Sequence, residues 1–223
     1  MPKTEKVLFK HSVAVRWFHW VNFPILALMI WSGLLIYWAN DVYKVHIGNT
    51  VIFPFFPDGF YKSLGVPFRL AEGMSLHFFF MWFFTINGII YFFYLLFSKE
   101  YKLLFPNKRS LKEAWKVVLY DLKISKIKPP QLKYNAAQRI AYTMVLFMGF
   151  GSLITGLAIY KPVQFNFFTT ILGGYGAARM EHFILTILFC LFFLVHVVQV
   201  ILAGWQNFAA MVRGFEIIKK RKL

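Results

Sequence analysis

The chain has 223 residues, 59% apolar and only 15% charged, with a mean hydropathy of +0.57. Soluble domains average about 45–50% apolar and about 25% charged, so this apolar surface does not fit inside one water-borne globule, and a membrane-embedded chain is expected. The net charge of +16 is spread between apolar runs instead of forming one basic face, which argues against a nucleic-acid partner and fits a membrane surface.

A hydrocarbon core about 30 Å thick needs about 20 consecutive, mostly apolar helical residues. The first segment to meet that length is about 17–39. Basic residues stand before it, but no short apolar region with a small-residue cleavage site follows them, so it reads as a retained span and not as a signal peptide. Residues 51–57 are too short to cross and carry Pro54 and Pro57, so they read as outer loop. The second span is about 73–97.

A long basic loop, 98–136, follows. Ser110 with Glu113 has the spacing of a capping box, and Leu111, Trp115, Val118, Leu119 and Leu122 form an apolar stripe, with Lys112, Lys116 and Lys123 on other faces. This predicts an amphipathic helix lying at the interface. The third span is about 137–160 and the fourth about 178–205, with the short apolar stretch 165–172 between them lying against the interface. Cys190 is the single cysteine, in the fourth span, and reads as packing; alone it excludes a disulfide, a CxxC pair and a CxxCH attachment.

Lysine and arginine counts set the orientation. The segment before the first span, the long loop with Arg139, and the tail after the fourth span hold 20 of them, including Lys3, Lys128, Lys220, Arg221 and Lys222; the other two loops hold 5. Both termini and the long loop are therefore expected in the cytoplasm. The fold expected is an all-α integral membrane protein, a bundle of four transmembrane helices forming one domain over residues 1–223.

Six histidines are present. His11, ahead of the first span, and His46, in the outer loop, read as solvated. His19, His77, His182 and His196 all fall in the spans, where ionisable residues are costly and usually functional. His182 and His196 are 14 residues apart, just under four turns, and so project from nearly one face about 21 Å apart along the axis. With the orientation above, His19 and His196 share the inner depth, and His77 and His182 the outer.

Two imidazoles facing each other across a bundle are what axial ligation of a non-covalent haem requires. Two b haems, one per leaflet, are expected. A non-haem metal lacks carboxylates, Glu181 beside His182 being the nearest. A histidine proton pathway in a haem-free transporter leaves the pairing by depth unexplained. Gly33 follows His19 by 14 residues and Gly88 follows His77 by 11, so each helix has room for the haem it does not ligate, although glycine also serves helix packing. Arg16 and Arg139 on the inner side, with Arg69 and Arg179 on the outer, are candidate propionate partners or interfacial anchors.

These residues stand in ordered stretches: Arg16-Trp17-Phe18-His19-Trp20, Ser32-Gly33-Leu34-Leu35, Ile36-Tyr37-Trp38-Ala39-Asn40, Lys133-Tyr134-Asn135-Ala136-Ala137-Gln138-Arg139, and His182 and His196 followed by Gly204-Trp205-Gln206-Asn207-Phe208. Over nearly its whole length the chain resembles the di-haem cytochrome b subunits of formate dehydrogenase, NiFe hydrogenase and, most nearly, thiosulfate reductase, within the prokaryotic cytochrome b561 grouping.

The resemblance implies a multi-pass subunit of the bacterial inner membrane. It implies electron transfer between the quinone pool and a periplasmic oxidoreductase subunit, often molybdopterin-dependent, with no substrate bond made or broken by the chain except in quinone redox. It also implies Asn135 as a quinone hydrogen-bonding residue, with Tyr134 and Gln138 beside it; a polar helix start is the plainer reading of that stretch. The outer loop between His46 and Arg69 departs from the formate dehydrogenase and hydrogenase subunits. A self-contained cytochrome serving a small diffusible redox partner is the second reading.

Overall fold

A computed structural model describes residues 5–37, 39, 43–57, 59–65, 69–127, 129 and 133–219. Of the residues named above, Lys3, Trp38, Asn40, Lys128, Lys220, Arg221 and Lys222 lie outside these. In chain order the elements are β1 (Glu5–Phe9), α1 (Val13–Tyr37), β2 (Lys44–Ile47), β3 (Thr50–Pro54), α2 (Phe60–Ser63), α3 (Leu70–Ser98), α4 (Tyr101–Leu104), α5 (Ser110–Asp121), α6 (Ala136–Tyr160), α7 (Asn166–Ile171), α8 (Tyr175–Ala203), α9 (Trp205–Arg213) and β4 (Phe215–Lys219). Helices α1, α3, α6 and α8, of 25 to 29 residues, are long and apolar enough to cross a membrane, about 37–44 Å each at 1.5 Å per residue. They match the four expected spans to within a few residues, and among the described residues the fold is all-α apart from two short ribbons.

Each long helix starts and stops for a local reason. Asn135 Oδ1 accepts the backbone N–H of Gln138 at 2.9 Å, while Gln138 Oε1 accepts that of Asn135 at 3.0 Å. This reciprocal cap opens α6. Gly173 and Gly174, at φ 81 and 103, turn the chain into α8. The fourth span stops earlier than expected: Gly204 takes φ 84 and ψ 171, a region open essentially to glycine alone, and Trp205 begins a separate helix.

Three other expectations are corrected. Residues 50–54 form a strand, since β3 pairs antiparallel with β2. Ser110 makes no capping box: it is the first residue of α5, and its hydroxyl bonds Asn107 at 2.9 Å and accepts the Asn107 N–H at 2.8 Å. His11 is buried, at 9% exposure, although it was expected in solvent; the side chain of His46 is outside those described. Along α5 and its C-cap, Leu111, Trp115, Val118 and Leu122 of the expected stripe are exposed, as an interfacial helix requires, while Leu119 is half-buried and Val117 turns inward.

The chain forms two compact units, each interleaved along the sequence. The first is Met1–Val21, Tyr91–Phe147 and Phe189–Leu223. In it β1 pairs antiparallel with β4, from Glu5 opposite Lys219 to Phe9 opposite Phe215. Lys10 Nζ, just after β1, reaches α9 through Asn207 Oδ1 at 2.8 Å and β4 through Glu216 at 3.1 Å. The second unit is Asn22–Ile90 and Met148–Leu188. Tyr37, Tyr43 and Phe183 form its buried aromatic core, packed by Phe55, Phe56 and Ile187.

Candidate functional site

In the second unit α3 supplies His77 and α8 supplies His182, with ring centroids 6.1 Å apart. Ser32 Oγ lies 2.9 Å from His77 Nδ1, and Thr155 Oγ1 lies 2.8 Å from His182 Nδ1. Each hydroxyl has one proton, and each has a backbone carbonyl in its own helix as acceptor: Leu28 O at 2.7 Å for Ser32, Gly151 O at 2.8 Å for Thr155. With that proton given to the i−4 carbonyl, the hydroxyl accepts from the ring. Nδ1 then carries the hydrogen in both histidines and Nε2 keeps its lone pair for a metal.

In the first unit α1 supplies His19 and α8 supplies His196, with centroids 6.0 Å apart. His196 stacks on Phe192 at 5.7 Å. His19 Nδ1 is buried without a partner, so this pair lacks the hydroxyl support of the other.

An imidazole nitrogen binds a first-row metal at about 2.0–2.1 Å and lies about 1.1 Å from its ring centroid, so two rings in line on one metal have centroids about 6.3 Å apart. Both pairs meet that spacing. Among the described residues there is no group of three or more His, Cys, Asp or Glu able to hold a metal; haem iron needs only two axial ligands, because the macrocycle supplies the rest. The residues present therefore fit haem.

The glycines divide by what a side chain would meet. A Cβ on Gly33 would lie 3.7 Å from the His77 ring, and one on Gly156 would lie 3.5 Å from the His182 ring. Around Gly88 nothing lies within 4 Å. Gly73 serves packing instead, since a Cβ there would come 2.7 Å from that of Leu35. Asn87 Nδ2 donates to Asn22 Oδ1 at 3.0 Å, clasping α3 to α1. Sequence reasoning missed Ser32, Thr155, Gly156 and this clasp.

The arginines also differ. Arg16 NH1 donates to Val212 O at 2.6 Å, at the carbonyl end of α9, beside Trp20 Nε1 on Met211 O at 3.2 Å; its Nε is buried and unpaired. Arg139 donates to Phe105 O, and its Nε is likewise unpaired. By contrast Arg69 is ion-paired with Glu72, and Arg179 lies over the rings of Tyr43 and Tyr175 at 6.0 and 5.7 Å.

Tyr134 packs edge-on against Tyr142 at 5.4 Å, under Lys133. Lys133 in turn reaches Glu100 at 3.5 Å. Burial and the nearby Glu100 raise the Tyr134 pKa, so its phenol stays protonated. Asn135 and Gln138 have their carboxamide oxygens engaged in the helix cap, leaving their NH2 groups for another partner.

Facing imidazoles inside apolar helices, two from each pair of spans, define a membrane-bound haem b electron-transfer protein. The chain belongs to the prokaryotic cytochrome b561 family, which matches residues 10–214. A relative in Azospira oryzae, whose assigned name is protein-methionine-sulfoxide reductase subunit YedZ1, is 33% identical over 206 residues, covering 92% of this chain and 96% of the relative. The chain is thus a multi-pass integral membrane protein and similar to an oxidoreductase subunit.

Proposed function

We propose that the chain carries two b haems, one on His19 and His196 and the other on His77 and His182. It passes electrons between membrane quinone and a periplasmic oxidoreductase subunit. The observation that carries this reading is the pair of centroid distances, 6.0 and 6.1 Å, with α8 contributing one ring to each. Bound haem supplies reversible one-electron transfer at iron. Ser32 and Thr155 fix the tautomer of one histidine pair. Gly33 and Gly156 keep the helix surfaces beside the His77 and His182 rings bare, and Gly88 leaves open space along α3. Arg16 and Arg139 offer unpaired donors to haem propionates, and Arg69 and Arg179 are the corresponding cations of the second unit.

At the quinone, Tyr134 and the NH2 groups of Asn135 and Gln138 are the proposed hydrogen-bond donors. The basic loop, placed in the cytoplasm by the positive-inside rule, puts this exchange on the cytoplasmic side of a bacterial inner membrane. The relative's name and the resemblance to thiosulfate-reductase-type subunits point to a molybdopterin-dependent partner, and a methionine-sulfoxide-reducing subunit is the class to test first.

The test is a dithionite-reduced minus oxidised spectrum of purified protein with pyridine haemochrome quantitation. Two b haems per chain, falling to one in His19→Ala and in His77→Ala, are expected. Protein without haem after expression with full haem supply overturns the reading.

A further inference from the structure

Among the described residues, four buried polar atoms have no hydrogen-bond partner: His11 Nδ1, Arg16 Nε, His19 Nδ1 and Arg139 Nε. All four belong to the first unit. Native interiors leave few such groups unpaired. An arginine Nε only donates, and a neutral imidazole carries its one N–H on Nδ1 or Nε2; with the hydrogen on Nδ1, what these groups lack is an acceptor.

His11 and Arg16 stand together. The His11 backbone N–H donates to Gly214 O at 3.1 Å. A Cβ on Gly214 would lie 3.1 Å from the His11 backbone carbonyl and 3.3 Å from Arg16 Nε, so the His11 backbone and the Arg16 side chain border the same bare glycine. The groups acting on the His11 ring are Lys10, Lys133, His19 and Arg16, and none is an acid. Burial first, then these basic groups with Lys10 foremost, lower its pKa to about 4, so at neutral pH the ring is uncharged and keeps one N–H. Lys10 is committed to Glu216 and Asn207, and Arg16 NH1 to Val212 O; His11 Nδ1 and Arg16 Nε are not. Two unpaired donors in a cationic setting select a carboxylate over a neutral carbonyl.

We propose that His11 Nδ1–H and Arg16 Nε–H bind one carboxylate of the haem held by His19 and His196. This rests on the ligand assignment above.

Redox titration of the purified full-length protein tests it, with His19→Ala identifying the spectral component that belongs to the His19/His196 haem. Removing a donor leaves the carboxylate charge less balanced and favours ferric iron. His11→Phe is therefore expected to lower the midpoint potential of that component alone. His11→Gln, whose amide reaches the Nε2 position instead, should do the same. His11→Asn places an NH2 group where Nδ1 stood and should restore the wild-type value. An unshifted component in His11→Phe and His11→Gln at wild-type haem content overturns the proposal. So does a shift of both components, or a loss of haem that His11→Asn does not repair, because either makes His11 a packing residue. If His19→Ala removes no haem component, the ligand assignment itself fails, which is a separate result.

Discussion

Ser32, at 0% exposure, and Thr155, at 3%, sit behind His77 and His182 and orient them. Partners of this kind are typically worth 10–100-fold in metal affinity. Ser32→Ala and Thr155→Val are expected to lower haem retention at this pair by about that factor, read as haem per chain after purification. Thr155→Ser keeps the hydroxyl and should restore it. Gly33 gives a steric counterpart. Gly33→Ala meets ordinary 3.7 Å contacts with the His77 and Tyr37 rings and should be silent. Gly33→Leu fills the space beside His77 and should expel or shift one haem; an unchanged spectrum would refute that role. The four histidines were legible because a titratable group in an apolar span stands out. The hydroxyls were not, because serine and threonine in membrane helices routinely satisfy themselves on the i−4 carbonyl, and nothing in the sequence marks the ones that also accept from a ring.

Helix α8 runs out at Gly204 and α9 starts at Trp205. That break turns α9 so that its last carbonyls receive Arg16 and Trp20, where a cation also complements the helix dipole. Gly204→Ala should cost about 1–3 kcal/mol, read as a lower midpoint of thermal unfolding by circular dichroism in detergent. The sequence carried the span but not its end, because hydropathy registers the apolar run and is blind to φ. The two ribbons escaped for a related reason: strands of four or five residues have too few positions to show a period.

At the start of α6 the signal existed, since Asn135 and Gln138 have capping-box spacing. That cap gives the quinone reading a clean test. Asn135→Ser retains a good cap and removes the amide, so unchanged thermal stability with slower quinol oxidation is expected. An unchanged rate would leave Asn135 as a cap only.

Neither compact unit is a contiguous stretch, and each takes segments from all four long helices. Hydropathy and the basic-residue counts made the four spans legible, but they do not show which segments pack together, because lipid-facing and helix-facing positions are alike apolar. His11 shows the limit at this scale. Its burial depends on strands β1 and β4 meeting across nearly the whole chain. Because its folded pKa lies below the unfolded value of 6.5, the unfolded chain binds more protons between about pH 4 and 6.5. The associated stability is complete above that window and falls as pH drops through it, by up to about 1.4 kcal/mol per pH unit. The hydrogen-exchange protection factors of the Lys10 and His11 amides, both bonded to Gly214 O, should fall as pH drops through that range in haem-free protein. The acid sensitivity should disappear in His11→Phe.

The pairing of β1 with β4 also sets a schedule. The last residue of the second unit, Leu188, precedes strand β4 of the first unit in the chain. Strand β1 must wait for β4. At about 5–20 residues per second, that is about 10–40 s after Phe9 is made. The His77/His182 pair is therefore expected to fill first. The proposed His19/His196 site belongs to the unit in which β1 pairs with β4.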